Sequence, residues 1–414
     1  MTNRELFHAT MQGENGDKLL RMELSFNIHG PTWRNDGLPH FVNTDYGFPE
    51  LTPTPSLFDT FSTCGFLFLN CYQFCVPPFE AKVLEEKDDR RIYIDANGAT
   101  WQERMDTGMG IPNGSIPHEI DFTIKDRKSY LDNRYRLTGI EGRADMAQAE
   151  SRMDLYRKQQ DHVVSLWMHG PFAYLRVLMG TENAMLLPYD DPDLMKMILD
   201  DHLKRSMAAA EPVIKMLKPD TSYVWEDCAG KSGPFMSPSI FEELMAPWYR
   251  GWKDFLKSMG VNYMSVDCDG NMAVMAKHWH QSGVDLILPW EVNGCDMLEV
   301  AEELPTLAMM GGIYKHMFEP NHIAQAGRFQ THDIHEAIDT ELKRVVPKMK
   351  KRGRYFPAMD HAVNEATHYA DYRYYTNQMD TLYGAANQSQ RMASWAKGKK
   401  PLEQGVDGDP KYLD

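Results

Sequence analysis

The sequence predicts an α/β fold, a single barrel of parallel β/α units, and three observations support this prediction. Short apolar runs rich in β-branched and aromatic residues recur along the chain, and each ends in polar residues. Stretches of helical period separate the runs, so strands and helices alternate as they do around a parallel sheet. The length of 414 residues is typical of one such barrel with an insertion. Seven or eight units of this kind close a barrel.

The predicted strands and helices follow one another along the chain. Seven strands are predicted in LLRMELSFN (19–27), VVSLWMHG (163–170), TSYVWED (221–227), NYMSVDCD (262–269), VDLILPWE (284–291), LAMMGGI (307–313) and GRYFPAMDH (353–361), and one more within GFLFLNCYQF (65–74). Helices are predicted over 192–217, 237–259 and 333–351, because these stretches are amphipathic and have Ser, Asp or Pro near their starts.

Residues 31–150 interrupt this rhythm, and we expect them to form an N-terminal insertion or cap on the barrel. They are rich in Pro, Gly, Asp and aromatic residues, and 86–105 is typical of a hairpin that turns at Asn97-Gly98. The barrel domain is predicted to span 1–395. Residues 396–414 are polar and are predicted to form a C-terminal tail.

Composition and charge argue against several classes of function. The formal net charge of −15 disfavours nucleic acid and anionic membrane surfaces as partners. No apolar run reaches the roughly eighteen residues that span a bilayer, and the first residues lack the apolar centre of a secretory signal. Six scattered cysteines do not indicate a disulfide framework. We therefore expect a cytoplasmic globular protein; its oligomeric state stays open, a homodimer included.

Carboxylates follow four of the predicted strands. The C-terminal ends of barrel strands meet at one face, where the active sites of such barrels lie. Acids that cap the next helix explain any one of these ends equally well, but four such ends are harder to explain in that way. A converging set of carboxylates with histidine or cysteine is what a divalent metal site or an acid–base site requires. The residues concerned are Glu226 and Asp227, Asp267 and Asp269, Glu291, and Asp360 with His361.

The segment Asp267-Cys268-Asp269 has a predictable direction. Alternate residues of an extended segment point to the same side. Asp267 and Asp269 are therefore expected on one face, where they can hold a metal or share a proton, and Cys268 is expected to face away and pack. Cys295 lies in the next strand-to-helix loop and is a candidate thiolate ligand, although a lone cysteine is more often a buried thiol.

Several segments carry a resemblance to a known family. They are WRNDGLP (33–39), GPFAYLRVLMGTENAM (170–185), WEDCAGKSGPFMSPSIFEELMAPWYR (225–250), VDCDGN (266–271), PWEVNGCDM (289–297), GGIYK (311–315) and GRYFPAMDHAV (353–363). Together they resemble the uroporphyrinogen-decarboxylase-like superfamily in the expected order over most of the chain. The resemblance implies a TIM-type (β/α)8 barrel. This superfamily includes tetrapyrrole decarboxylases, which need no metal, and methyltransferases that use zinc to activate a thiol or an ether for exchange with a corrinoid.

Two departures separate the alternatives within this superfamily. Decarboxylase members carry an arginine-rich MRQAGR segment after the first strand, which holds substrate carboxylates, whereas this chain has ELSFNIHGPTWR there. Thiol-activating methyltransferases have an HxCGN segment that aligns with residues 267–271, where aspartates stand at both ligand positions. An oxygen-rich ligand set has less thiolate character. The first departure favours methyl transfer over decarboxylation, and the second argues against thiol activation.

The methyltransferases that demethylate aromatic methyl ethers resemble this chain more closely. Some have a metal motif of Asp, twenty-seven residues, Cys, thirty-nine residues and Cys. Asp267 and Cys295 satisfy the first spacing, and the third position is His335. Histidine is an equally good zinc ligand, and the neighbouring His332 and the strand-end His361 are alternatives for the third ligand. The resemblance thus implies a zinc held by Asp267, Cys295 and either His335 or His361.

The function that this resemblance implies is corrinoid-dependent methyl transfer. A methyl group passes from a small-molecule donor, an aromatic methyl ether in an O-demethylase, to the Co(I) corrinoid (cobalamin) of a separate protein with zinc assistance. The corrinoid protein is expected as a transient partner, because no segment of this chain is typical of a cobalamin-binding domain. The candidates for protonating the ether oxygen or orienting the ring are Glu226, Asp227, Asp269 and Glu291.

Two alternatives to methyl transfer stay open at this point. One is a uroporphyrinogen-type decarboxylase or another lyase of a small acid, and the other is a non-catalytic barrel that binds a corrinoid or a porphyrin. Tyr223 and Trp225 are candidates for lining a pocket in any of these proteins, although their spacing also fits a packed strand.

Overall fold

A computed structural model describes the chain over residues 1–27, 30–45, 47–70, 73–105, 117–141, 143–144, 146–319, 329–364, 366–384, 390–398, 401–404 and 410–412. Within them one parallel sheet has seven strands, which we number in chain order. They are β1 (Phe66–Asn70), β2 (Val163–His169), β3 (Thr221–Trp225), β4 (Tyr263–Asp267), β5 (Leu286–Trp290), β6 (Ala308–Ile313) and β7 (Tyr355–Met359). Each strand pairs with its neighbours in the chain, so the order in the sheet is the order in the sequence.

A short segment near the N-terminus joins the two edges of this sheet. The backbone N–H of Met22 donates to the carbonyl of Pro357 in β7, at 3.0 Å. On the other side the N–H of Cys64, just before β1, donates to the carbonyl of Arg21, and the N–H of Glu23 donates to the carbonyl of Cys64. The sheet is thus curled and linked edge to edge, an arrangement compatible with a TIM-type barrel.

The predicted first strand, 19–27, is irregular. Only Phe26–Asn27 forms a strand, and it pairs in parallel with Val363–Asn364 after β7. The other seven predicted strands are confirmed, each containing one strand of the sheet. The predicted helix 192–217 is confirmed with the bounds Pro192–Leu217.

The side chains enclosed by the curled sheet are apolar, and a helix covers the end at which the strands begin. Alternate residues of the strands point inward and form a buried cluster with helix Asn3–Gln12. Phe7 of this helix stacks on Phe356 with ring centroids 5.2 Å apart and meets Tyr263 edge-on at 6.1 Å. A capping box formed by Thr2 and Glu5 fixes the start of the helix. The opposite, C-terminal end is where the strand-end acids lie.

Helices surround the sheet and bury a second, larger apolar cluster against its outer face. The longer ones are Arg127–Thr138, Met146–Lys158, Pro171–Met179, Thr181–Asp190, Pro192–Leu217, Ala246–Ser258, Ala273–Gln281, Met297–Glu303, Ile334–Arg352, Tyr369–Tyr383 and Gln390–Gly398. A π-helical turn, Phe241–Met245, precedes Ala246–Ser258 and interrupts the predicted helix 237–259. Among the described helices, none combines the length and the apolar character needed to cross a membrane.

The segment 31–150, predicted as an insertion, contains both a strand of the central sheet, β1, and a separate antiparallel sheet. The hairpin predicted at Asn97-Gly98 is confirmed, since Arg90–Ile94 pairs with Ala99–Arg104 and Gly98 has a φ of +85°. The carboxylate of Glu119 accepts hydrogen bonds from the N–H and the hydroxyl of Thr181, which tie this sheet to the start of a barrel helix. The four strands are Lys82–Lys87, Arg90–Ile94, Ala99–Arg104 and His118–Phe122.

The tail predicted over 396–414 lies partly outside the described residues. Where it is described, Pro401–Gln404 pairs antiparallel with Pro410–Tyr412.

Candidate active site

The strand-end carboxylates predicted from the sequence fall into three environments at the C-terminal face. One group surrounds a histidine, a second consists of three aspartates, and the remaining acids are buried among backbone amides. The residues, by strand, are Glu226 and Asp227 after β3, Asp267 and Asp269 at β4, Glu291 after β5, and Asp360 and His361 after β7. Because all seven strands run in parallel, these residues lie at the same end of the sheet.

Asp269, Glu291 and His361 form the histidine-containing group. One ligand atom of each lies within 4.8 Å of the others. The Nε2 atom of His361 is 3.4 Å from Oδ2 of Asp269, and the N–H of Gly270 donates to Oε2 of Glu291 at 2.7 Å. Burial lowers the pKa of His361, but the hydrogen bond and the charge of Asp269 outweigh it, so this pKa is raised. The three side chains are thus oriented toward one another.

Asp227, Asp267 and Asp269 form the second group, and Asp269 belongs to both groups. The hydroxyl of Tyr223 donates to Oδ2 of Asp267 at 2.6 Å. Burial, together with the charges of Asp227 and Asp269, raises the pKa of Asp267 well above its ordinary value. The prediction that Asp267 and Asp269 share a face is confirmed, as is the outward packing of Cys268, which lies in the outer apolar cluster.

Asp227 occupies a strained position at the end of β3. Its φ is +45°, in the left-handed region that non-glycine residues rarely adopt. Its Oδ1 accepts a hydrogen bond from the N–H of Asp269 at 3.3 Å, and Oδ2 lies 3.5 Å from Nη2 of Arg176. Burial and the nearby Asp269 raise the pKa of Asp227. This backbone conformation, together with the hydrogen bond from Asp269, places the carboxylate beside the other aspartates.

Glu226, predicted as a catalytic residue, does not reach the cluster. It follows the last residue of β3 on the outer side and is fully buried. Its Oε2 accepts from the N–H groups of Phe172 and Ala173, at the start of helix Pro171–Met179, and Oε1 accepts from the hydroxyl of Tyr249 at 2.8 Å. A carboxylate at a helix N-terminus satisfies otherwise unpaired N–H groups. Glu226 therefore anchors this helix to the end of β3.

We expect Glu226→Gln to flatten the pH dependence of stability. Burial raises the pKa of Glu226 to about 8 from an ordinary 4.5. Because the folded-state pKa is the higher one, the contribution of this carboxyl to stability is fully present below the unfolded pKa and is lost as the pH rises through the folded pKa. Glutamine cannot ionise, so between pH 5 and 8 the variant should gain on the order of a few kcal/mol in unfolding free energy relative to wild type. Denaturant unfolding at both pH values measures this, and a pH-independent difference contradicts it.

Neither Cys295 nor His335 joins Asp267 as predicted. The thiol of Cys295 contacts the backbone N–H groups of Met272 and Ala273, and burial raises its pKa to about 11. Among the described residues, Cys295 belongs to neither metal-competent group. His335 lies on the exposed side of helix Ile334–Arg352, and its ring stacks on a tyrosine of the next helix. The spacing of the motif in the sequence does not bring Cys295 and His335 to Asp267, because helices and loops separate these positions in the chain.

Cys295→Ser should leave the bound metal unchanged. The thiol contacts the backbone N–H groups of Met272 and Ala273 and, among the described residues, lies outside both groups. Elemental analysis of the purified variant after zinc loading measures the metal-to-protein ratio. A metal-to-protein ratio clearly below that of the wild type would show that Cys295 is a metal ligand.

A cavity of about 1030 Å³ opens beside the aspartates. Asp267 forms part of its wall, so the cavity and the second group are continuous. Trp167 and Trp225 stack with centroids 6.2 Å apart, and Phe68 packs edge-on against Tyr223 at 4.8 Å. All four rings line the cavity. A flat apolar ligand therefore finds aromatic surface directly next to a carboxyl group.

Other lining residues were missed by the sequence reasoning. Trp167 and His169 stand at alternate positions at the end of β2, and Phe68 has the same orientation in β1. Burial lowers the pKa of His169 to about 3, so its imidazole is neutral in the cavity wall. The two-residue period of the strands could have identified these residues, because the same alternation places the predicted Tyr223 and Trp225 in the cavity wall.

The histidine-containing group has a donor set that fits zinc. Zinc accepts histidine nitrogen together with aspartate or glutamate oxygen, and catalytic zinc sites keep three protein ligands and one open position. Asp269, Glu291 and His361 supply one nitrogen and two carboxylates, and each is only partly buried. Of the ligands predicted from the sequence, His361 belongs to this group, and Asp267 belongs to the group of three aspartates.

Comparisons with known proteins support the fold. No protein-family model matches the chain, and no curated protein is significantly similar to it in sequence. Among solved structures, the chain is similar to a methyltransferase from Methanosarcina mazei, with a TM-score of 0.57 at 14% sequence identity. The similarity covers 92% of this chain and 99% of that chain. An identity this low establishes a shared fold, and activity has to be argued from the site.

Proposed function

We propose that this chain is a methyltransferase that moves a methyl group from an aromatic methyl ether to the Co(I) corrinoid of a separate protein, with zinc assistance. One observation carries the proposal: Asp267 belongs both to the carboxylate cluster and to the wall of the aromatic cavity. An aromatic ring that occupies this cavity would lie beside the carboxyl group of Asp267. The name of the structural neighbour, a methyltransferase, supports the reaction class.

Asp269, Glu291 and His361 are the residues that would hold the metal. When bound, zinc supplies a Lewis acid that stabilises negative charge developing on the ether oxygen. The N–H of Gly270 fixes the carboxylate of Glu291, and Nε2 of His361 lies 3.4 Å from Oδ2 of Asp269, so these two ligand atoms are already close together. These contacts reduce the reorganisation that metal binding requires.

Asp267 is the residue that we assign to proton transfer. Burial raises its pKa well above the ordinary value, which favours the protonated carboxyl group, and the hydroxyl of Tyr223 donates to Oδ2. That arrangement leaves Oδ1 as the atom that delivers the proton to the substrate. The negative charge of Asp227, which is not among the three proposed metal ligands, adds to the effect of burial.

The transfer balances as a nucleophilic substitution. The electron pair of Co(I) forms the new bond to the methyl carbon, and the bond between that carbon and the ether oxygen breaks. The electron pair of the broken bond stays on the oxygen, which takes the proton from Asp267 and leaves as a phenol. A proton from solvent then restores Asp267.

Decarboxylation of a polycarboxylate fits this cavity less well. Among its described lining residues there is one arginine, Arg152, and there are two carboxylates, Glu50 and Asp267. A tetrapyrrole with several carboxylates needs several cationic partners, and arginine is the usual one because it binds carboxylates in a bidentate manner. The net charge of −15 adds to the repulsion.

A single-turnover assay tests the proposal. Zinc-loaded protein is mixed anaerobically with cob(I)alamin and a panel of methoxybenzenes, and the conversion of Co(I) to methyl-Co(III) is followed by absorbance. We expect conversion that depends on zinc and falls at least tenfold in Asp267→Asn. Conversion only with methylated thiols or amines rejects the ether donor. Loss of carboxylate from a tetrapyrrole, with no methyl transfer from any donor, rejects the methyltransferase.

A further inference from the structure

Asp360 is a buried carboxylate that holds two neighbouring loops at once. Its side chain is 2% exposed. Oδ2 accepts a hydrogen bond from the N–H of Val292 at 3.0 Å, and Oδ1 accepts one from the N–H of Lys315 at 2.9 Å. Its own N–H donates to the carbonyl of Ile313 at 2.7 Å. One residue after β7 is therefore bonded to the loops that follow β5 and β6.

Asp360 and one of its partners, Val292, are each adjacent in the chain to a candidate metal ligand. Val292 directly follows Glu291, and His361 directly follows Asp360. The hydrogen bond to Val292 therefore sets the distance between the loop that carries Glu291 and the turn that carries His361. These ligands come from strands β5 and β7, which are not neighbours in the sheet, because β6 lies between them.

We propose that Asp360 is a positioning residue of the metal site: its hydrogen bond to Val292 sets the separation of Glu291 and His361, and its hydrogen bond to Lys315 fixes Asp360 against the intervening loop after β6. This inference rests on the proposed function, because that function assigns the metal to Asp269, Glu291 and His361. Asp360 itself does not touch the metal or the substrate. Partners of this kind, which hold the ligands from behind, typically change metal affinity by about 10- to 100-fold when they are replaced.

Two replacements disturb Asp360 in different ways. Asn has one carbonyl oxygen and one NH2 group, so in Asp360→Asn one of the two backbone N–H groups meets another donor. Asp360→Glu keeps both oxygens but moves them by a methylene, which pushes the two loops apart. Both variants retain a polar group of similar size at the position, so the barrel is expected to fold.

Glu23 offers a matched control. It is also a fully buried carboxylate bonded to the end of β7, since Oε2 accepts from the N–H of Met359 at 3.0 Å. Its Oε1 accepts from the hydroxyl of Tyr372 at 3.1 Å. Met359 directly precedes Asp360, but neither contact is to the loops after β5 and β6 that Asp360 binds. Glu23→Gln therefore perturbs a buried acid beside the same strand without loosening the loops of the site.

The test measures zinc affinity and local backbone protection in the full chain. We expect Asp360→Asn and Asp360→Glu to raise the zinc dissociation constant about 10- to 100-fold and to change the visible spectrum of the cobalt(II)-loaded protein. Glu23→Gln should bind zinc within about twofold of the wild type. Hydrogen exchange followed by mass spectrometry should accelerate in peptides that contain Val292 and Lys315 in the two Asp360 variants, and stay unchanged there in Glu23→Gln.

Three results would overturn the inference. The first is unchanged exchange at both Val292 and Lys315 in the Asp360 variants. The second is accelerated exchange with unchanged zinc affinity, and the third is an equal loss of affinity in Glu23→Gln. If the wild-type chain binds neither zinc nor cobalt(II), the metal-assisted function fails, and the exchange measurement still decides whether Asp360 holds the two loops.

Discussion

His361→Ala is expected to abolish zinc binding and methyl transfer. His361 supplies the single nitrogen donor in the group that it forms with Asp269 and Glu291. Removing one of three protein ligands leaves two carboxylates that also repel each other, so we expect the zinc dissociation constant to rise more than about 100-fold. The rate of methyl transfer should fall by a similar factor. Zinc affinity from competition with a chromophoric chelator, and single-turnover rates, measure these effects.

His335→Ala is the control for this experiment. His335 occupies the third position of the sequence-based motif, but its Nε2 lies 3.1 Å from Oδ1 of Asp371, and its ring stacks on Tyr374 with centroids 3.8 Å apart. The side chain is half exposed on the outer helices. We expect wild-type zinc affinity and wild-type rates. Loss of zinc in His335→Ala, with retention in His361→Ala, would reverse the assignment of the ligand.

Gly294→Ala should disrupt the same metal site through a clash with the backbone of a neighbouring loop. A Cβ atom at position 294 would lie 2.5 Å from the carbonyl oxygen of Gly270. Both partners are backbone, so one of the two loops has to move, and these loops carry Glu291 and Asp269. Overpacking of this kind costs roughly 1–3 kcal/mol. We expect a lower melting temperature together with at least a tenfold loss of zinc affinity.

Gly139→Ala separates the general effect of a glycine replacement from this clash. Gly139 ends helix Arg127–Thr138 with a φ of −60°, which any residue adopts, and an added Cβ meets only the carbonyl of Tyr135 at 3.6 Å. The control should keep both its stability and its zinc affinity. Equal behaviour of the two variants would show that the contact between the 270 and 294 loops does not limit the site.

The sheet was predictable because its strands are buried on both faces. Such strands are continuous apolar runs of nearly constant length, and seven of them stand out in the sequence. The run 19–27 has the same composition, yet most of it lacks strand pairing. Its backbone bonds alternately to Cys64 and Pro357, and these tertiary contacts are not encoded in local composition.

The placement of the site residues was predictable only where the strands keep their two-residue period. Tyr223 and Trp225 face inward, and the two-residue period places Asp227 on the same inner side. The same period places Glu226 on the outer side, where it is buried. Its position was therefore predictable from the sequence. In β5 the pairing register shifts between Ile287 and Trp290. Trp290 consequently packs in the outer cluster, and the residue after it turns toward the site.

Strand β7 shows a second limit of the alternation rule. Phe356 and Ala358 point inward, which predicts an inward Asp360 and an outward His361. The strand ends at Met359, however, and two backbone N–H groups from other loops bind the carboxylate of Asp360. The turn that follows brings His361 to Asp269. Because those N–H groups come from segments more than forty residues away, no local pattern reveals them.

The helix Asn3–Gln12 gives the proposed reaction a defined order of events. It seals the N-terminal end of the sheet with Phe7, so the methyl donor and the methyl acceptor have to share the C-terminal mouth. A protein as large as a corrinoid carrier covers that mouth when it docks. The small donor must therefore bind first and its phenol must depart last, and initial-rate kinetics should follow an ordered sequential scheme, in which the methyl donor competes with the phenol product for the free enzyme.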